Sequence, residues 1–159
     1  VVWLTGLPAA GKTTLANALA ARLRTLGREP LILDSDLVRI ALAARGHDEA
    51  ERERFYAALA ALAGAAAGQG LIVLVPATAH RRAWRAAARA IAPRFVEVYL
   101  TTSLEECRRR DPKGLYAAAG LGSTLPGVGV AYEPPRAPEV VVAGDDVEAG
   151  VEAVLAVLA

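Results

Sequence analysis

Methionine is absent from this 159-residue chain, and lysine occurs twice, at Lys12 and Lys113. Where arginine supplies nearly all the positive charge, each lysine marks a position that needs an ammonium group. Cysteine occurs once, as Cys107. An internal disulfide is therefore excluded, and a reducing, cytoplasmic setting is the expectation. No charge sign dominates: 18 Lys and Arg stand against 17 Asp and Glu, a net charge of +1. That balance gives no global case for a nucleic-acid or membrane partner and leaves a small molecule as the expected ligand. No apolar run approaches the roughly 20 residues of a membrane span. The opening Val1-Val2-Trp3-Leu4 has no basic segment. It reads as the trimmed start of a strand, not as a signal peptide. A hydrophobic content of 54% with 22% charged residues excludes disordered, collagen-like and low-complexity classes. The length fits one domain, residues 1–159, with a substantial core.

Short apolar runs alternate with helical patterns. Strands are predicted at 1–5, 30–34, 71–75, 95–100 and 139–142. Helices are predicted from 12 to about 26, where Leu15, Leu19, Leu23 and Leu26 recur, and over 37–44, 49–67, 80–91, 103–110 and 145–158. Ser103 with Glu106 reads as a capping box, and Asp145 or Asp146 can cap the last helix. Residues 111–138 are dense in Gly and Pro and fit neither period, which marks a long functional loop. Continuous apolar strands alternating with helices imply a parallel sheet covered on both faces. Ligands of such sheets sit at the carboxyl ends of the strands, just after Thr5, Leu33, Val75 and Leu100.

The first of those ends carries Gly6-Leu7-Pro8-Ala9-Ala10-Gly11-Lys12-Thr13, which fits G-x-x-x-x-G-K-[ST] without deviation between a strand and a helix. Successive backbone N–H groups there can hold phosphate oxygens, aided by the helix N-terminus. Gly6 and Gly11 permit close backbone approach. Lys12 neutralises the β- and γ-phosphates, and the Thr13 hydroxyl ligates Mg²⁺. A chance Gly-rich turn with a surface lysine would not need this context, so the loop is read as a nucleoside-triphosphate site.

The second strand ends in Asp34-Ser35-Asp36, with Arg39 one turn on. Two carboxylates here would face the phosphate loop: one on the Mg²⁺ side, the other positioning or deprotonating an attacking hydroxyl. No acid follows the third strand, so this duty falls on Asp34 and Asp36. The competing reading of Asp36 is a helix cap.

These residues, with Leu33 to Arg39 (L-D-S-D-L-V-R), Gly70 to Val75 (G-L-I-V-L-V), Ser103 to Tyr116 (S-L-E-E-C-R-R-R-D-P-K-G-L-Y) and Tyr132-Glu133-Pro134-Pro135, resemble the adenylylsulfate kinases. The resemblance runs over essentially the whole length. It implies a three-layer P-loop NTPase fold: a five-stranded parallel sheet, helices on both faces and a mobile lid at about 111–135. It implies transfer of the γ-phosphoryl of ATP to the 3′-hydroxyl of adenylyl sulfate, with ATP and Mg²⁺ as cofactors, and it suggests a homodimer. Gly6, Ala9, Ala10, Gly11, Lys12, Thr13 and Thr14 would hold ATP and Mg²⁺. Thr13 and Asp34 would be the metal side, and Lys12, Asp34 and Asp36 the catalytic set. Arg39 and Arg52 would contact the acceptor's anionic end, beside Asp36. Arg110 would flank the ATP base, and Lys113 would anchor the lid near both substrates. Arg82 matches the family's S-P-Y-R arginine.

Departures from the family pattern concentrate on the acceptor half. Ser35 replaces the glycine of D-G-D. Pro76-Ala77-Thr78-Ala79-His80-Arg81-Arg82 replaces A-F-I-S-P-Y-R, which puts Ala77 at an aromatic position and Ala79 at a serine position. Phe55 falls where an acceptor-contacting Asn is expected. Ser123-Thr124-Leu125-Pro126-Gly127 replaces K-N-F-T-G in a lid about two residues shorter. Loss of aromatic stacking at about 1–3 kcal/mol per base would weaken adenylyl sulfate. It opens the alternative of a same-mechanism kinase for another small hydroxyl. A nucleotide-binding regulatory module is a third reading, opposed by Asp34 and by the lid, since a switch needs no lid to exclude water.

Arg81, Arg82, Arg85 and Arg89 cluster around Trp84 and read either as an anion patch or as a solvated helix face with a half-buried Trp. His80 is expected at the surface, and His47 structural or exposed. Cys107 is expected to be a core thiol. The Ala-rich segment 49–67 is expected to be packing surface that also suits a subunit contact.

Overall fold

The computed structural model describes residues 1–44, 46–143 and 146–159. Five strands, β1 (Val2–Thr5), β2 (Pro30–Ile32), β3 (Ile72–Pro76), β4 (Val96–Leu100) and β5 (Val140–Val142), form one sheet in the order β2-β3-β1-β4-β5. Every pairing is parallel, with Val2 opposite both Leu74 and Val96. The helices are α1 (Lys12–Thr25), α2 (Ser35–Ala41), α3 (Glu49–Gly68), α4 (Arg82–Ile91), α5 (Leu104–Arg110) and α6 (Val147–Leu158).

Alternation along β1 builds two cores. Val2 and Leu4 pack with Leu15, Leu19, Val151 and Val154 of α1 and α6. Trp3, between them, points to the other face and packs with Phe55, Leu59, Trp84 and Phe95. Each fully buried Leu or Val contributes about 1.5–3 kcal/mol relative to exposure. Both faces are covered, which is why the strands read as unbroken apolar runs. The order of strands reverses at β1, flanked by β3 and β4. A crevice opens outside its carboxyl end, where the phosphate loop lies.

The local differences from the sequence expectation have identifiable causes. β2 stops at Ile32 and α2 begins at Ser35 because Asp34 caps the helix, its Oδ1 accepting the Asp36 N–H at 2.9 Å. The expected cap, Asp36, lies inside the first turn. α4 begins at Arg82 and not at residue 80, because Ala79 sits at φ 36° and breaks the helical path. Only half of the capping box forms on α5. Ser103 Oγ accepts the Glu106 N–H at 3.2 Å, but the Glu106 carboxylate turns to Arg109 and Arg110. Those two guanidinium groups hold the Glu106 carboxyl at about 2. Asp146 caps α6 by accepting the Ala149 N–H at 2.9 Å, and Asp145 lies outside the described residues. The Ala-rich helix α3 is packing surface: Phe55, Tyr56, Leu59, Ala60 and Ala63 are buried. Cys107 is a buried core thiol as expected.

Candidate active site

Two cavities meet at the carboxyl end of the sheet. The first has a volume of about 440 Å³ and lies over the phosphate loop. The second, about 860 Å³, lies between α2, the start of α3 and the segment 113–126. Ser35, Asp36, Thr78, Lys113 and Leu115 line both and form their common wall.

The loop cavity is built from Gly6 to Thr14. Gly6 packs so tightly that a Cβ would lie 2.8 Å from the Leu100 carbonyl oxygen. Gly11 holds φ 97°, a conformation that disfavours side-chain-bearing residues. Lys12 Nζ donates to the Gly6 and Leu7 carbonyls at 3.1 and 2.7 Å. Among the described residues no carboxylate lies within hydrogen-bond distance of it. Burial pushes its pKa down to about 8, against smaller opposing pulls from Cys107, Asp36 and Asp34. Thr13 Oγ1 donates to Asp34 Oδ2 at 2.8 Å. Ala9, Gly11, Lys12, Thr13, Thr14, Asp34 and Arg110 line this cavity. Gly6 and Ala10 do not. The Ala10 N–H bonds within the loop to the Leu7 carbonyl at 3.1 Å, and its own carbonyl accepts the Thr102 hydroxyl at 3.0 Å.

A nucleoside triphosphate with Mg²⁺ fits these residues. An ammonium cradled by carbonyls lies under an opening lined by loop backbone. The Thr13 hydroxyl and the Asp34 carboxylate offer the hard oxygen donors that Mg²⁺ prefers. Among the described residues no group of three His, Cys, Asp or Glu side chains forms a metal cage. Thr13 and Asp34 would hold Mg²⁺ through one or two oxygens, the usual number of protein donors for this ion beside phosphate and water.

The larger cavity gathers Arg39, Arg52 and Lys113, with Asp36 as its acid. Arg39 Nη1 donates to the Ala44 and Gly46 carbonyls at 3.3 and 3.0 Å. Arg52 is 8% exposed and donates through Nη2 to the Thr124 carbonyl at 2.8 Å. Lys113 pairs with Asp36 across the common wall. The lid segment thus touches both cavities, and Tyr116 Oη also donates to the Pro8 carbonyl of the phosphate loop at 2.9 Å.

Several expected positions move. Arg82 lies outside both cavities, its backbone N–H on Glu133 at 2.8 Å and its Nη1 on the Pro134 carbonyl at 3.1 Å. The arginine cluster divides: Arg81, Arg82 and Arg89 keep side chains about 40% exposed and pair with carboxylates, while Arg85 is drawn into the core. Arg85 is 2% exposed and bonds Glu97 at 2.7 Å. Arg89 grips Glu139 at 2.7 and 2.8 Å, Arg81 meets Glu49 at 2.6 Å, and Trp84 is buried. His80, expected at the surface, is 6% exposed, edge-on to Trp84, and lines the larger cavity. Burial, then Arg52 and Arg81, pushes its pKa down to about 4, so it is neutral at pH 7. His47 is exposed and lines the same cavity, its pKa lowered by partial burial and by Arg39 and Arg52. Ala77, Ala79 and Phe55 belong to the core and not to the cavity wall. The small residues at 77 and 79 therefore do not hollow out the acceptor cavity, whereas Leu125 does line it.

Sequence reasoning missed Tyr56 and Thr78. Tyr56 stands four residues after Arg52 on α3, the spacing that puts two side chains on one helix face, and that signal was available. Thr78 lies three residues after Val75, at a strand end where a ligand is expected, but no motif singles it out.

A profile of the family described as Adenylylsulphate kinase matches residues 1–143. The chain belongs to the adenylylsulphate kinase family. A family member, the probable adenylyl-sulfate kinase of Archaeoglobus fulgidus, is 43% identical over 148 residues, covering 91% of this chain and 96% of the relative. The bifunctional enzyme NodQ of Azospirillum brasilense is 44% identical over 144 residues. That match covers 87% of this chain but 23% of the longer relative. Among solved structures, the Mycobacterium tuberculosis APS kinase CysC in complex with AMPPNP and APS superposes with a TM-score of 0.91. It is 34% identical, with 99% of this chain and 95% of that one covered. Membership in the adenylylsulphate kinase family accounts for the three-layer arrangement and the phosphate loop. No helix among the described residues is long and apolar enough to cross a membrane.

Proposed function

We propose that the chain is a single-domain ATP-dependent kinase, residues 1–159, that moves the γ-phosphoryl of ATP to the 3′-hydroxyl of adenylyl sulfate. The observation that carries this reading is the wall of five residues common to the phosphate-loop cavity and the cationic cavity. A phosphoryl group leaving one has only that wall to pass to enter the other.

Gly11, Lys12, Thr13 and Thr14 hold the triphosphate, and Ala9 and Arg110 border it. Thr13 and Asp34 would hold Mg²⁺, which when bound neutralises phosphate charge. The Asp34 carboxylate faces the loop and orients the acceptor hydroxyl and takes its proton. Arg39 and Arg52 attract the sulfate-phosphate end, and guanidinium forks suit both groups. Asp36 and Lys113 stand at the crossing, with Lys113 tying the lid, residues 111–135, over the site. A closed lid keeps water from the phosphoryl in transfer. The alternative of a different acceptor leaned on Ala77, Phe55 and Leu125. Two of these three lie in the core, and Leu125 alone of them lines the larger cavity.

The test is an acceptor screen with ATP and Mg²⁺. Turnover of adenylyl sulfate at low micromolar concentration supports the reading. No turnover at millimolar levels, with transfer to another hydroxyl compound, replaces it by the alternative. A homodimer is the assembly proposed, and light scattering that gives a monomer mass would exclude it.

A further inference from the structure

The backbone from Ala77 to His80 is fixed at every residue. The Ala77 N–H donates to the Leu4 carbonyl at 3.0 Å. The Thr78 carbonyl accepts the hydroxyl of buried Thr5 at 2.7 Å, and that hydroxyl also pairs with Tyr132 Oη at 2.9 Å. The Ala79 N–H donates to Tyr56 Oη at 3.1 Å, and the Ala79 carbonyl accepts Arg85 Nη1 at 2.5 Å. The His80 carbonyl accepts the Glu133 N–H at 2.8 Å. Ala79 itself stands at φ 36°, an unfavourable conformation for a residue with a Cβ. Such strain persists only where the surroundings over-determine it, and it clusters at functional sites.

This rigid turn presents one side chain to the common wall of the two cavities: Thr78. Of the other shared residues, Leu115 is apolar, while Asp36 and Lys113 hold each other. Ser35 and Thr78 carry hydroxyls with no hydrogen-bond partner among the described residues; Ser35 opens the short helix α2 beside exposed Asp36, whereas Thr78 stands between the fully buried Ala77 and Ala79.

We infer that Thr78 is a catalytic residue whose hydroxyl donates a hydrogen bond to the phosphoryl group as it passes between the cavities. The inference rests on the kinase reading above. In that step the bond from the acceptor 3′-oxygen to the γ-phosphorus forms as the bond to the bridging oxygen of ADP breaks. The proton of the 3′-hydroxyl goes to the Asp34 carboxylate, and Thr78 keeps its own. Charge in this transition state spreads over the equatorial oxygens, where a fixed donor stabilises it more than in either ground state.

The experiment compares wild type with Thr78→Val, which keeps the shape and removes the hydroxyl, and Thr78→Ser, which restores it. With ATP and adenylyl sulfate, Thr78→Val is expected to lower kcat by about tenfold or more, with both KM values unchanged. Thr78→Ser is expected to stay near wild type. A second readout needs no acceptor: affinity for ADP with Mg²⁺ and aluminium fluoride should fall about tenfold in Thr78→Val, while affinity for ADP alone is unchanged. Equal kcat and equal fluoroaluminate affinity in Thr78→Val would overturn the inference, as would a loss confined to the acceptor KM. Wild type without turnover of adenylyl sulfate would overturn the acceptor assignment instead, and the fluoroaluminate comparison would still decide the role of Thr78.

Discussion

The guanidinium of Arg39 lies over the ring of Phe55, its central carbon 3.9 Å from the ring centroid. Phe55 is 3% exposed and stands edge-on to Tyr56, so the platform is itself fixed. Arg39 Nη1 is bound to the carbonyls of residues 44 and 46, which pins the fork in one orientation. Phe55, at the position of an acceptor-contacting Asn in the family pattern, thus underlies the arginine proposed for the acceptor's anionic end.

Phe55→Leu is accordingly expected to raise the KM for adenylyl sulfate about fivefold, the equivalent of a cation–π contact of about 1 kcal/mol, while the KM for ATP stays constant. Phe55→Tyr should restore the wild-type value. Steady-state kinetics in both substrates checks this. An equal rise in both KM values would point to general loosening of the core.

Lys12 gives nucleotide binding a pH dependence of known sign. Its pKa in the protein without nucleotide is lowered to about 8 by burial, and an adjacent triphosphate favours the charged form. Binding therefore takes up a proton above pH 8, and affinity falls as pH rises through that value. Between pH 8 and 9.5 the Kd for a non-hydrolysable ATP analogue should rise by up to about 16-fold, because the group is already half deprotonated at pH 8 and the slope reaches tenfold per pH unit only above it. Titration calorimetry in buffers of different ionisation heat would register the proton uptake directly. A flat profile over this range would contradict the assignment.

Much of this was legible in the sequence because it is carried by local pattern. The apolar strands, the phosphate loop and Asp34 depend on neighbouring residues and on a periodicity that the sheet imposes. The positions that misled depend on contacts distant in sequence. Arg85 reads as a surface cation until Glu97 of β4 and the carbonyl of Glu133 come to meet it. His80 reads as exposed until Trp84 and Glu133, near the end of the lid, come to meet it. Ala77 reads as a hole in the acceptor site until the chain direction after β3 turns it into the core. Asp34 and Asp36 exchange the capping role for a subtler reason. One carboxylate serves the cap and Thr13 with separate oxygens, which leaves Asp36 to Lys113.

Asp34→Asn tests the central claim most directly, that an aspartate beside the phosphate loop steers the acceptor hydroxyl. Asparagine keeps an oxygen to cap α2, so the helix and the loop remain in place. Transfer from radiolabelled ATP to adenylyl sulfate should fall by about 10²–10⁴-fold, while the Kd for the ATP analogue stays within a few-fold of wild type. Transfer at the wild-type rate by Asp34→Asn would contradict the account.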